Sequence, residues 1–143
     1  MRETLLVRGT GLPATLRWAA IALAAYGLVV VVNATVLQAM NDWVGLAEYP
    51  RALIRAMGLA LVVWGLLRRA RWAWWLGVVL ALFWLATSIF GFLMFLGIRT
   101  PEADALLPPG FYALLATTCV LLGAAAALLL APSSRAAVGR GAA

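Results

Sequence analysis

Arg55 is the side chain in this sequence whose placement demands a chemical explanation. It lies inside an apolar run over 49–71, YPRALIRAMGLALVVWGLLRRAR, which ends in Arg68, Arg69 and Arg71. At a 1.5 Å helical rise, Arg55 is only about 20 Å from Arg68, whereas the hydrocarbon core of a bilayer is about 30 Å thick. A guanidinium at that depth snorkels to the surface, pairs with an acid or faces a wet cavity. Other polar side chains sit outward of the centres of their own runs: Asn33, Gln38, Thr87, Ser88 and, slightly, Thr117 and Thr118. Arg51 is four residues from Arg55, one helical turn away. Together Arg55, Asn33, Arg51, Gln38, Ser88, Thr87 and Thr117 form a candidate outward-facing pocket. It suits an anion, a lipid headgroup or a polar solute. The same residues have a structural reading. Serine and threonine in apolar helices bond back to their own carbonyls, Asn33 links two helices for about 0.6 kcal/mol, and Arg55 pairs with Asp42 or Glu48.

The chemistry that is missing narrows the classes. The sequence has no histidine, no lysine and one cysteine, Cys119. Imidazole ligation of haem or metal, histidine general-base catalysis, retinal Schiff bases and dithiol redox chemistry are all excluded. No acid falls inside an apolar run, so the membrane carboxylate of a proton-coupled antiporter is absent. There is no phosphate-binding glycine loop and no Gly-x-Ser-x-Gly. No cofactor, no metal and no enzymatic activity are expected. Cys119, in an apolar run, reads as a small packing residue.

The elements that must hold these residues follow from hydropathy. Of 143 residues, 66% are hydrophobic and 11% charged, and the mean hydropathy is +1.01; a soluble domain is typically about a quarter charged. The formal charge of +6 comes from arginines at the ends of apolar runs, not from a basic face, so nucleic acid is not a partner. Four spans are expected, at about 16–40, 50–67, 72–98 and 110–131, with outer loops at 41–49 and 99–109. The first run continues past Ala22-Leu23-Ala24, so it reads as a retained anchor and not as a cleaved signal peptide. Pro50 suits the first turn of the second span. Arg68-Arg69-Ala70-Arg71 leaves room only for a sharp turn. Trp72, Trp74 and Trp75 read as an interfacial belt with Trp18 and Trp43, and Trp64 and Trp84 lie deeper. Thr100-Pro101-Glu102 has the pattern of a helix start. The segment 133–143 reads as a polar tail.

Small residues recur at helix-packing spacing in three spans: Ala52, Ala56 and Ala60; Cys119, Gly123 and Ala127; and a stripe of Gly77, Ala81, Trp84, Ser88, Gly91 and Phe95. Eight of the eleven arginines fall in the two tails, the inner end of the first span and the 68–71 turn. Arg51, Arg55 and Arg99 share the other side with four of the five acids. Both termini are therefore expected to be cytoplasmic. The fold class is all-α: an integral-membrane, up-down four-helix bundle forming a single domain over 1–143. The arginine- and alanine-rich, lysine-free composition points to a GC-rich bacterial source, hence the inner membrane. The leading functional reading is an accessory, scaffold or oligomer-forming subunit, a homo-oligomer or one beside a larger membrane partner. The alternatives are a small oligomeric transporter or channel using Arg55, and a lipid-binding or lipid-modifying protein.

Overall fold

A computed structural model of the chain describes residues 11–40, 42–97 and 110–139. The N-terminal segment 1–10, the second outer loop with Arg99 and its Thr100-Pro101-Glu102 start, Arg140, and the side chains of Gln38, Asp42 and Trp43 lie outside the described residues. Among the described residues there are five helices and no strand: α1 (Ala14–Met40), α2 (Asp42–Leu67), α3 (Arg71–Gly97), α4 (Phe111–Leu130) and α5 (Pro132–Gly139). Four of them are long and apolar enough to cross a membrane, which makes the chain a multi-pass membrane protein by length and composition. Their outward faces carry large apolar side chains such as Leu28, Ile54, Met57, Phe90 and Val120, each more than 60% exposed. That surface suits lipid and not water.

The long helices form a ring in the order α1, α2, α3, α4, with α4 closing onto α1 and the α2–α3 seam the thinnest of the four. Successive helices run up and down. Gly65 near the end of α2 abuts Ala73 near the start of α3, and Phe95 near the end of α3 packs edge-on against Phe111, 4.9 Å between ring centroids. The start of α1 meets the residues after α4, with Thr15 Oγ1 3.0 Å from Ser133 Oγ. Both ends of the described chain therefore lie at one end of the bundle, with the 68–70 turn. We call this the turn end, and the opposite one the cavity end.

Burial is lopsided. Leu16, Leu23, Val62, Leu66, Leu122 and Leu129 are fully buried, with Ala73, Val78 and Ala125 between them, and all belong to the turn-end half. Past Ala81 in α3 and before Leu122 in α4, no described residue is buried.

The turn end is held by backbone capping. Arg69 adopts a left-handed φ of 57°, its N–H donates to the Leu66 carbonyl and that of Ala70 donates to the Gly65 carbonyl. This is the Schellman arrangement, which satisfies carbonyls left over at a helix end. Glycine at Gly65 is required there, because a Cβ would collide with that of Ala73. The sharp turn expected over 68–71 is thus present.

Three expectations from the sequence differ from the structure. The 41–49 loop is helical from Asp42 onward, so Pro50 falls inside α2 and not in its first turn. Pro50 is exposed and lies near a helix end, where interfacial water can satisfy the carbonyl it leaves unbonded. The expected polar tail contains α5, whose Ser134 is fully buried. Ser134 Oγ reaches both the Leu128 carbonyl (2.7 Å) and Thr15 Oγ1 (2.8 Å) as donor, sharing one proton between them. Trp74 does not belong to an interfacial belt. It is 8% exposed, against 46% for Trp72 and 60% for Trp75, and its indole N–H donates to the Leu129 carbonyl at 2.8 Å. That carbonyl lies in the last turn of α4 and has no partner within its own helix.

Candidate functional site

The helices that pack tightly at the turn end leave a partly open cavity of about 330 Å³ at the other. It extends from the level of Glu48 and Phe111, near helix ends, down to Tyr26. Each long helix contributes one face. Tyr26 and Asn33, seven residues apart, come from α1, and Arg55 comes from α2. Trp84 and Ser88, four apart, come from α3. Phe111, Leu114, Leu115 and Thr118, at offsets of three, four and seven, come from α4. Glu48 to Arg55 is seven residues, so the guanidinium group is anchored roughly 10 Å along the helix from the mouth.

Arg55 is held against an aromatic ring, with a phenol nearby. Its Cζ lies 3.8 Å from the centroid of the Trp84 ring, a cation–π contact worth about 2 kcal/mol where water is scarce. Tyr26, a buried residue, lines the same cavity close to this guanidinium. Among the described residues, no carboxylate pairs with Arg55. Glu48, expected as one possible partner, instead accepts a hydrogen bond from Arg51 Nη1 at 2.8 Å. The pair Arg51–Glu48 is neutral, so the described wall of the cavity carries a net single positive charge on Arg55.

The expected site residues divide into three groups. Arg55, Asn33, Ser88 and Thr87 all line the cavity. Arg51 is paired with Glu48 beside it, and Thr117 is exposed and outside its lining. The Gln38 side chain lies outside the described residues. For three hydroxyls the structural reading holds. Thr87 donates to the Phe83 carbonyl at 2.9 Å, Thr117 to Ala113 at 2.8 Å and Thr118 to Leu114 at 2.9 Å, each four residues back on its own helix. Asn33 and Ser88 make no hydrogen bond to any described residue. An asparagine amide, a serine hydroxyl and a guanidinium thus face one cavity with donor capacity left over.

No protein-family model, curated protein or solved structure matches this chain.

Two contributors were undervalued by reading the sequence. Tyr26 has its signal in the seven-residue spacing to Asn33, which puts both on one helical face. Trp84 is one ring among seven tryptophans, and nothing in α3 alone reveals that a cation from α2 would lie on it.

Proposed function

We propose that this is a non-enzymatic, multi-pass membrane protein that holds an anionic group in the cavity between its four helices, with Arg55 as the anchoring charge. One observation carries the reading. Arg55 is anchored below the mouth of the cavity with its π-face contact made but without a carboxylate among the described residues, while the nearby Glu48 is committed to Arg51. A cation at such depth is costly unless compensated, and an anion entering the cavity would supply the missing charge and accept its free N–H groups. Asn33 and Ser88 would add uncharged donors around it. The arginine distribution favours a cytoplasmic turn end, which would open the cavity outward from the inner membrane of a bacterium. The only carboxylate on the described wall is ion-paired, which favours binding over bond-making chemistry.

The test is calorimetric titration of inorganic phosphate and butyl phosphate into the purified protein and Arg55→Gln. Hydrogen bonds to charged groups contribute about 1.5–3 kcal/mol, so the variant should lose at least about tenfold in affinity while remaining folded and monodisperse. Equal affinity in the variant, or no binding by a well-folded wild type, would sink the proposal.

A second reading, an accessory or oligomer-forming subunit, draws on a different face. Ala24, Gly27, Ala56 and Ala60 line an apolar depression of about 450 Å³ between α1 and α2, where small residues permit close helix approach. A defined oligomer or stoichiometric partner in native mass spectrometry supports it; a strict monomer in several lipid mimetics counts against it. Conduction through an oligomer is tested by anion flux into proteoliposomes.

A further inference from the structure

The cavity has a neighbour. Along the thin α2–α3 seam runs an apolar groove of about 350 Å³, lined by Ile54, Gly58, Leu59 and Leu80 together with Arg51, Arg55 and Trp84. Arg55 and Trp84 therefore belong to both spaces. The cation–π pair borders both a partly polar chamber inside the ring of helices and an apolar groove on its lipid-facing side.

We infer that the occupant is an anionic amphiphile with an alkyl chain, its carboxylate or phosphate head on Arg55 in the cavity and its tail in the α2–α3 groove. This rests on the anion-binding reading above and names the class of ligand. Two features of the groove support it. It is apolar along its length except at the end where Arg51 and Arg55 stand, so its polarity changes in the same order as that of such a molecule. Its volume accommodates on the order of ten methylenes, each taken as about the size of a water molecule at ~30 Å³. A free inorganic anion would use the chamber and leave the groove to bulk lipid. A neutral lipid would use the groove and leave Arg55 without a counter-charge. Only a molecule with both parts matches both spaces at the residues they share.

The physics also sets the ranking of the two parts. A tail moving from bilayer into the groove exchanges one hydrocarbon environment for another, so it gains little from the hydrophobic effect. The head contributes most of the affinity, and the tail contributes selection and access from the side.

Gly58 supplies the test. A Cβ at this position would meet no atom within 4 Å, so Gly58→Leu fills the groove without crowding the protein. Gly123, whose Cβ would likewise meet nothing within 4 Å, lies on α4 away from both spaces and gives the control Gly123→Leu. Adducts of dodecyl phosphate, laurate and inorganic phosphate are counted by native mass spectrometry of the full chain released from a neutral maltoside detergent. Wild type and Gly123→Leu should carry one dodecyl phosphate or laurate. Gly58→Leu should weaken that binding about tenfold without altering phosphate affinity, and Arg55→Gln should weaken it about a hundredfold. The preferred head, phosphate or carboxylate, is read from the ratio of the two amphiphiles. Should phosphate bind through Arg55 while Gly58→Leu leaves the amphiphiles untouched, the groove assignment falls and the anion site stands. Should Arg55→Gln leave all three unchanged, both fall.

Discussion

The two ends of this bundle share one apolar framework and behave as opposites. At the turn end, leucine, valine and alanine interlock, and the leftover helix carbonyls are covered. Trp74 takes that of Leu129, Ser134 reaches that of Leu128, and the Arg69 turn takes those of Leu66 and Gly65. At the cavity end α3 and α4 bury nothing among the described residues, and a guanidinium and an amide stand in the space left over. Lipid tails are as apolar as leucine, so a membrane bundle is held by close packing and hydrogen bonds and not by hiding grease from water. One half of the molecule can then supply most of the cohesion, leaving the other half open enough to hold a guest.

This contrast can be broken by matched substitutions. The largest effect is expected from Gly65→Val. Its Cβ would collide with Ala73 and lie 2.9 Å from Trp72, so a loss of about 3 kcal/mol or more is expected, seen as loss of monodisperse protein on size exclusion. The counterpart Gly91→Val meets nothing within 4 Å and should leave the thermal midpoint unchanged. Next is Leu66→Ala, which empties a fully buried site and should lower stability by about 2–3 kcal/mol. Leu115→Ala, on the cavity wall, should stay under about 1 kcal/mol. Both are read from thermal denaturation by circular dichroism.

Trp74→Phe removes the indole donor and leaves the Leu129 carbonyl bare, for a loss of about 1–2 kcal/mol, whereas Asn33→Ala should be near neutral in stability. Glu48→Gln sharpens the electrostatic side of the comparison. The Arg51–Glu48 pair is solvent-exposed, so stability should hardly change. The cavity rim gains an uncompensated Arg51, and phosphate affinity should rise by roughly threefold to tenfold at low salt, fading as salt is added. The smallest effect is expected from Thr117→Val, which loses only a bond to its own helix and should alter neither stability nor titration.

Much of this was legible in the chain. Four apolar runs announce four helices, and short connections force neighbours to alternate. Asn33, Arg55 and Ser88 stand out because a polar group in a hydrocarbon-length run needs a reason. What was not legible depended on contacts between runs. Trp72, Trp74 and Trp75 look alike as neighbours in a row, and only the position of α4 decides that Trp74 turns inward. Pro50 after an acidic, aromatic segment reads as a helix start, yet α2 begins eight residues earlier at Asp42, because proline is tolerated near an interfacial end. Ser134 looks like part of a solvated tail until Thr15 and Leu128 arrive from elsewhere. Glu48 is three residues from Arg51 and seven from Arg55, so spacing along the helix favours Arg51, and that pairing leaves the deeper cation without a carboxylate among the described residues.

The meeting of Thr15 and Ser133, 3.0 Å between hydroxyls, has a topological consequence. A short flexible linker could join the two ends of the described chain, and the chain could be cut instead at the 68–70 turn. The resulting circular permutant, beginning with α3 and finishing with α2, would keep an even number of crossings and both new ends on the original side of the bilayer. The insertion order of the two hairpins would be reversed without moving a single wall of the chamber.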